Sequence, residues 1–240
     1  MAIALLTSTS KPAALATAAV TSDPISTLGA TLLLIGEHRF LELHTVQDSL
    51  GNTWLPLTEQ EAAGQSLTRL WYCLNPLVGA SHTFTLDSTG GGTHPTITVA
   101  AFSGVTRYAG VENGATSLAA ASLSSGSVLP PEAGALIVSL YTALNSAITG
   151  VSGGSLAILE NVADTANSVT AALAYEIQAA AAARAALWTN AGTPPLAAVI
   201  AAFDGGDDPR LDWQGGVQVA GAVRRYQAIP SGMTPPGMAS

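Results

Sequence analysis

Short apolar runs separated by turn residues recur along the chain, and this pattern predicts β-strands. Residues 31–35 and 136–140 are largely apolar runs that each follow a Gly-Ala pair, and they are typical of buried strands. Residues 81–86 and 96–102 alternate polar and apolar side chains, which is typical of half-buried strands. The intervening residues 87–95 contain three consecutive glycines and predict a hairpin or a bulged connection.

Three short matches occur in the same order in the first and second parts of the chain. Residues 29–35 match 134–140, residues 70–72 match 173–175, and residues 99–104 match 200–205. Such ordered self-similarity indicates an internal repeat. We therefore predict two similar halves, residues 29–104 and 134–205, joined by a crossover over residues 105–133.

One segment carries conflicting signals. Residues 178–187 are nearly all alanine, and alanine has the highest helix propensity. The repeat, however, aligns this segment with a strand, loop and strand of the first half. We favour the strand interpretation, because tertiary context often overrides local propensity.

Frequent Gly, Ser and Thr turns without βαβ spacing favour an all-β fold. We predict an antiparallel, jelly-roll-like β-sandwich, a double sheet to which each half contributes about four strands. Residues 25–205 would form this sandwich. Residues 1–24 would be an extended N-terminal arm, and residues 206–240 an extended C-terminal tail.

The composition supports a folded, acidic protein with a core of small side chains. Hydrophobic residues make up 48% of the 240 residues, charged residues 10% and aromatic residues 5%, which excludes global disorder. The net charge is −8, with a single lysine, Lys11. An acidic surface repels phosphates, so we expect neither nucleic acid nor an anionic membrane as a partner. We expect the only cysteine, Cys73, to be a buried thiol, since apolar residues flank it.

The C-terminal tail contains anchors but too little apolar surface to fold alone. Pro and Gly are frequent in residues 206–240, and Trp213 has no local partner there. We predict that the tail docks to neighbouring subunits through Trp213, Leu211, Tyr226 and Met233.

Several residue groups suggest chemistry, and each has a simpler structural interpretation that we favour. His38, His44 and Glu42 could form a zinc site, but scattered polar side chains on an edge strand explain them as well. Glu37 and Glu42 could be the paired carboxylates of a glycosidase. Their odd spacing, however, places them on opposite faces of a regular strand.

Two further groups stay open. Asp204, Asp207 and Asp208 offer oxygen ligands for Ca²⁺, although their spacing differs from that of a twelve-residue calcium loop. Trp54 could lie at a rim and stack on sugar rings, whereas core packing is the default for tryptophan. We predict no catalytic residue, no cofactor and no metal.

Three motifs resemble β-sandwich proteins of tailed bacteriophages and prophages. These are the Asp-Ser-x-Gly-Asn-Thr-Trp turn at residues 48–54, the Trp-Tyr pair at 71–72, and the strand closing in Ala-Phe-Ser-Gly at 101–104. The resemblance covers roughly residues 25–205 and excludes the tail. The second half departs from it, with Ala174 where the first half has Trp71.

The resemblance implies a non-enzymatic virion component, such as a capsid decoration, a head spike, or a neck or tail-fibre protein. Its partners would be other virion proteins, and it would be located in the virion after assembly in the host cytoplasm. We expect a homo-oligomer, with a trimer among the open symmetries. The alternative is a carbohydrate-binding module of a host-recognition fibre, and a glycoside-acting enzyme is a third class.

Overall fold

The computed structural model describes residues 2–12, 19–39, 44–62, 66–88, 95–163 and 169–205, apart from the side chains of His44 and Ser88. These residues form β-strands joined by turns and contain no helix. The strands are Ala4–Pro12 (β1), Ala19–Thr21 (β2), Leu32–Arg39 (β3), His44–Asp48 (β4), Leu55–Pro56 (β5), Gln60–Ala62 (β6), Ser66–Leu74 (β7), Phe84–Ser88 (β8), Thr96–Ser103 (β9), Val105–Ser117 (β10), Ser122–Val128 (β11), Leu136–Leu144 (β12), Ile148–Ser152 (β13), Ala157–Ala163 (β14), Val169–Ile177 (β15), Arg184–Asn190 (β16) and Leu196–Gly205 (β17).

The strands pair antiparallel in four sheets, which confirms the all-β, antiparallel prediction. A six-stranded sheet has the order β1-β9-β3-β7-β5, with β6 also paired to β7. A five-stranded sheet has the order β10-β17-β12-β15-β14. Two three-stranded sheets have the orders β2-β8-β4 and β11-β16-β13. The described residues therefore form more layers than a single double sheet has.

Three apolar clusters show how the sheets stack. The central core joins the six-stranded and five-stranded sheets, with Leu34 and Phe102 on one side and Val138 and Phe203 on the other. The first outer core packs β2, β4 and β8 against the outer face of the six-stranded sheet. The second outer core packs β11, β13 and β16 against the outer face of the five-stranded sheet. The sheets thus form four layers with three apolar interiors.

The middle strands are buried on both faces, which explains their nearly continuous apolar sequences. In β3, Leu32 and Leu34 face the central core, whereas Leu33 and Ile35 face the first outer core. This follows from the two-residue period of a strand. Alanines in β9 and β17 line both the central and the outer cores, so many small side chains build these closely packed layers, as the composition suggests.

The N-terminal segment requires a correction. The sequence places residues 1–24 in an arm outside the sandwich, but β1 forms an edge strand of the six-stranded sheet and pairs with β9. The crossover expected over residues 105–133 is also wrong, because β10 pairs with β17 and β11 pairs with β16. Only Gly104 separates β9 from β10. Its φ of 76° and a Cβ position 2.3 Å from the Ala2 carbonyl oxygen restrict this residue to glycine.

The alanine-rich segment contains a strand, as the repeat predicts. Residues 178–183 connect β15 to β16, and β16 begins at Arg184. Ala186 and Trp188 point into the second outer core. Burial of this face favours a strand over the helix that alanine alone would prefer.

Candidate functional site

The turn after β4 is built around the Asp48 carboxylate. Its Oδ1 accepts a hydrogen bond from the Leu50 amide at 2.8 Å, and its Oδ2 accepts one from the Asn52 amide at 3.2 Å. The Trp54 indole N–H donates to Oδ2 at 2.7 Å. Gly51 supplies the positive φ of 77° that the turn requires. The Asp-Ser-x-Gly-Asn-Thr-Trp motif at residues 48–54 therefore holds a turn together.

A buried histidine extends this arrangement. His82 Nε2 lies 3.0 Å from Asp48 Oδ1, and its Nδ1 lies 3.0 Å from Thr27 Oγ1. An acid, a histidine and a hydroxyl in this order could suggest a catalytic triad. All three side chains are buried, however, so no substrate reaches the Thr27 hydroxyl. Burial alone would raise the pKa of Asp48, but hydrogen bonds from His82, Leu50, Trp54 and Asn52 outweigh it and lower the pKa.

Hydrogen bonds join three turns at this end of the first outer core. Asn52 Nδ2 donates to the Leu77 carbonyl at 3.1 Å, and the Leu77 amide donates to Asn52 Oδ1 at 2.6 Å. The Thr27 amide donates to the Gly79 carbonyl at 2.9 Å. The turns over residues 22–31, 49–54 and 75–83 are therefore held together as one unit.

This unit presents exposed apolar side chains, which we call the apolar tip. Leu28 is 59% exposed and Leu77 is 60% exposed. Leu50 Cδ1 lies 3.4 Å from the Cβ position of Gly79, so it adjoins the third turn. The apolar tip comprises Leu28, Leu50, Leu77 and Val78 of these turns, together with Leu6 of β1, whose Cδ1 lies 4.0 Å from the Cβ position of Gly29. Grouped apolar residues on a surface are typical of interaction sites.

Trp54 belongs to the core and not to a rim. It is 8% exposed, and its ring packs edge to face against Phe84 with centroids 6.0 Å apart. The ring of Trp54 therefore follows the default for tryptophan and offers no free face for a sugar. Cys73 is also buried, as expected, and burial raises the pKa of its thiol.

A charge network lies in the first outer core. Glu37 and Arg39 are buried, and Glu37 Oε1 accepts a hydrogen bond from Arg39 Nε at 2.7 Å. Glu37 Oε2 accepts one from the Trp71 indole N–H at 2.7 Å. Arg69 pairs with Glu59 and lies 5.4 Å from the Trp71 ring centroid. These contacts give Glu37 a structural role, and its suggested glycosidase partner, Glu42, lies outside the described residues.

His38 faces the opposite way, into the central core. Its Nδ1 lies 2.7 Å from Thr142 Oγ1 on β12, and its Nε2 lies 3.2 Å from Thr98 Oγ1 on β9. Thr68 Oγ1 on β7 is 3.3 Å from Nδ1. Burial lowers the pKa of His38 to about 3, against a smaller opposing effect of Glu37. His38 thus joins the two larger sheets as a neutral side chain.

The remaining metal candidates give no assembled site in the described part of the chain. There, no group of three or more His, Cys, Asp or Glu side chains could hold a metal ion. Of the zinc candidates, Glu42 and the side chain of His44 lie outside the described residues. Arg107 Nη2 lies 2.9 Å from Asp204 Oδ2, and burial raises the pKa of Asp204 against this pairing. The calcium candidates Asp207 and Asp208 also lie outside the described residues.

A hydrolase-like pentad that our sequence predictions missed occurs at residues 150–154 as Gly-Val-Ser-Gly-Gly. A nucleophile elbow needs a strand, a sharp turn and then a helix. Ser152 instead ends β13, pairs with Leu187, and is followed by a turn into β14. The pentad therefore forms an ordinary strand connection.

All five cationic side chains of residues 1–205 are paired with carboxylates. Lys11 pairs with Asp23, Arg39 with Glu37, Arg69 with Glu59, Arg107 with Glu132 and Asp204, and Arg184 with Glu176. Since acidic residues outnumber basic ones, the uncompensated charge of this part of the chain is negative. Such a surface favours neutral or basic partners.

Neither a protein-family model, nor a curated protein, nor a solved structure matches the chain. The predicted docking residues Trp213, Leu211, Tyr226 and Met233 lie outside the described residues. Within those residues, no helix is long and apolar enough to span a membrane.

Proposed function

We propose that the chain consists of two similar halves, each a jelly-roll-like pair of sheets. The strand orders β1-β9-β3-β7 and β10-β17-β12-β15 support this, as do β2-β8-β4 and β11-β16-β13. The registers agree as well, because Leu32 lies opposite Phe102 and Leu136 lies opposite Phe203. The halves in this proposal are residues 4–103 and 105–205, which extends both repeats of the sequence analysis.

The function we propose is that of a non-enzymatic structural protein of a phage-like virion. The roles that we propose are capsid decoration, head spike, and neck or tail-fibre component. One observation carries the proposal. The hydrogen bonds of the motif residues Asp48, Asn52 and Trp54 hold together the turns that present the apolar tip. Residues that build a rigid contact surface suit a protein that binds neighbours.

Two other features support the same function. All five Lys and Arg side chains of residues 1–205 are paired, which leaves this part of the chain with net negative charge and suits partners that lack strong negative charge. The stacked layers bury polar groups such as His38 and Glu37 in internal contacts, where they serve stability. We propose that docking to neighbouring subunits involves residues 206–240, with Trp213, Leu211, Tyr226 and Met233 as anchors.

The test compares the full chain with a chain that ends at Gly206. Residues 1–206 form a compact unit, so the shorter chain retains all four sheets. Light scattering gives the mass of each in solution. We expect a defined oligomer for the full chain and a monomer for the shorter one. Monomers in both cases would remove the support for docking through residues 206–240.

A further inference from the structure

The apolar tip is preorganised for binding. Five large apolar side chains are exposed there, and the turns that carry four of them are held by hydrogen bonds that Asp48 accepts and that Asn52 and Thr27 donate. A surface held in one conformation loses little entropy on binding. A partner with large apolar side chains would therefore bury them against the apolar tip with little cost for ordering the turns.

The strand directions locate the tip relative to the end of the described chain. The tip turns follow β7 and precede β3, at the end of the sheet where β9 finishes. The Cβ position of Gly205, the last residue of β17, is 2.8 Å from the Gly104 carbonyl oxygen and 2.5 Å from Ile3 Cγ1. Strand β17 therefore ends, at Gly205, at the end of the sheets that carries the apolar tip.

The composition of the C-terminal segment complements that surface. Residues 213–240 contain Trp213, Tyr226 and Met233, together with two arginines and no acidic residue. Residues 1–205 hold 13 of the 16 acidic side chains but only five of the eight basic ones. Residues 206–212 hold three aspartates and one arginine, so the basic part of the segment, with Trp213, Tyr226 and Met233, is residues 213–240. A basic stretch with large apolar side chains matches an apolar tip on an acidic body. At about 3.3 Å per residue, the 35 residues of 206–240 are long enough to reach a second molecule.

We propose that the apolar tip of one copy binds residues 213–240 of a second copy, the basic part of its C-terminal segment. This inference deepens the proposed function and rests on it, because it names the surface that receives the docking segment. Trp213 and Tyr226 are the anchors, and the tip leucines form the surface that they cover. Arg224 and Arg225 supply the positive charge that complements the acidic body.

The experiment uses three double variants of the full chain. The tip variant is Leu28→Ser/Leu77→Ser, and the segment variant is Trp213→Ser/Tyr226→Ser. The matched control is Leu118→Ser/Leu129→Ser, whose leucines are 58% and 60% exposed in the other half. Circular dichroism and thermal unfolding establish that each variant is folded. Sedimentation equilibrium then gives the mass of each variant and of equimolar mixtures.

The expected result is that the wild-type chain and the control associate, whereas the tip and segment variants each have the mass of one chain. Mixing these two variants should restore a dimer with twice that mass, because each contributes the element that the other lacks. A tip variant that associates like the wild type would overturn the inference. So would a mixture that stays monomeric, which is the result expected if the segment binds within its own chain or binds a different protein.

The proposed function is tested separately by binding of the full chain to particles. If the tip variant binds particles and self-associates as the wild type does, the tip inference is wrong and the proposed function stands. If the wild-type chain binds no particles, the proposed function is wrong, whatever the variants do in solution.

Discussion

The two outer cores occupy corresponding places in the fold but use different chemistry. Glu37 in β3 and Tyr141 in β12 each lie five residues after the leucine that faces Phe102 or Phe203. Glu37 joins a network with Arg39 and Trp71. Tyr141 instead stacks on Trp188 with centroids 5.1 Å apart and planes 8° apart.

The difference shows that side chains at corresponding strand positions can form either a network of charges or a stack of aromatic rings. Each charge in the network is compensated by the other members, so removal of one member leaves another charge buried without its partner. The aromatic stack is mostly apolar, and loss of one polar atom leaves its packing intact. We therefore expect polar substitutions to destabilise the first outer core much more than the second.

The largest effect should follow from Glu37→Gln. This substitution keeps the shape but removes the buried carboxylate that pairs with Arg39 at 2.7 Å and leaves only the more exposed Glu59 at 3.7 Å, so we expect a loss of about 3–5 kcal/mol of unfolding free energy. Urea unfolding measures it. The control is Glu112→Gln, an exposed carboxylate that accepts a hydrogen bond from Thr58, where we expect a loss below about 1 kcal/mol. Equal losses in both variants would contradict the comparison.

Asp48→Ala should rank next. Without its carboxylate, the Leu50 and Asn52 amides and the Trp54 indole lose their acceptor, and we expect a loss of about 2–4 kcal/mol. Near-ultraviolet circular dichroism should change too, because Trp54 loses its anchor. Asp23→Ala removes only the surface pair with Lys11 and should lie within about 1 kcal/mol of the wild type. An Asp48→Ala variant as stable as the wild type would count against the role of this carboxylate.

The third effect is the pH dependence of stability that we attribute to His38, which lies between the two larger sheets. The pKa of His38 is about 3 in the folded chain and 6.5 in an unstructured peptide, so the unfolded chain binds the extra proton between these values. Stability from neutral His38 is therefore complete above pH 6.5 and declines as the pH falls toward 3. The groups that face it are the hydroxyls of Thr68, Thr98 and Thr142, and Glu37 is the charged group that opposes the lowering of its pKa.

We expect the wild type to lose about 2 kcal/mol between about pH 6.5 and 5, at up to about 1.4 kcal/mol per pH unit. In His38→Gln this dependence should largely disappear, although the variant is less stable at neutral pH. Most carboxylates stay ionised in this range, so they contribute little to the slope. Urea unfolding at several pH values gives both slopes, and parallel slopes would refute the assignment to His38.

Tyr141→Phe should have the smallest effect of the four. It removes only the hydroxyl that accepts a hydrogen bond from Asn190 Nδ2 at 2.6 Å, while the stack on Trp188 remains. We expect a loss of about 1 kcal/mol. A loss as large as that of Glu37→Gln, measured in the same urea titration, would show that the two interiors are equally sensitive to polar change.

The buried strands are predictable from the sequence, whereas the edge strands are not. The apolar runs at residues 31–35 and 136–140 lie in or next to β3 and β12, because burial on both faces demands continuous apolar sequence. In contrast, β1 and β10 are edge strands with much exposed surface, and their small polar residues carry no clear period. The local pattern of residues 1–24 and 105–133 therefore indicates an arm and a crossover instead of strands.

The candidate site was predictable only in part, because some of its residues are far apart in the sequence. The turn at residues 48–54 has a local signature, since Asp, Gly and Asn each favour turns. Leu28 and Leu77 lie on separate turns that are joined by hydrogen bonds, and no local sequence pattern reveals this connection. Glu37 and Trp71 likewise meet only because strands β3 and β7 pair in a particular register.

The most direct test of the proposed function is co-sedimentation with phage-like particles purified from cells that carry the encoding sequence. The full chain and the chain ending at Gly206 are each mixed with particles and separated on a density gradient. The proposal predicts that the full chain sediments with particles at a fixed number of copies per particle and that the shorter chain stays at the top. If the full chain also stays at the top, it is not a docking component of the virion.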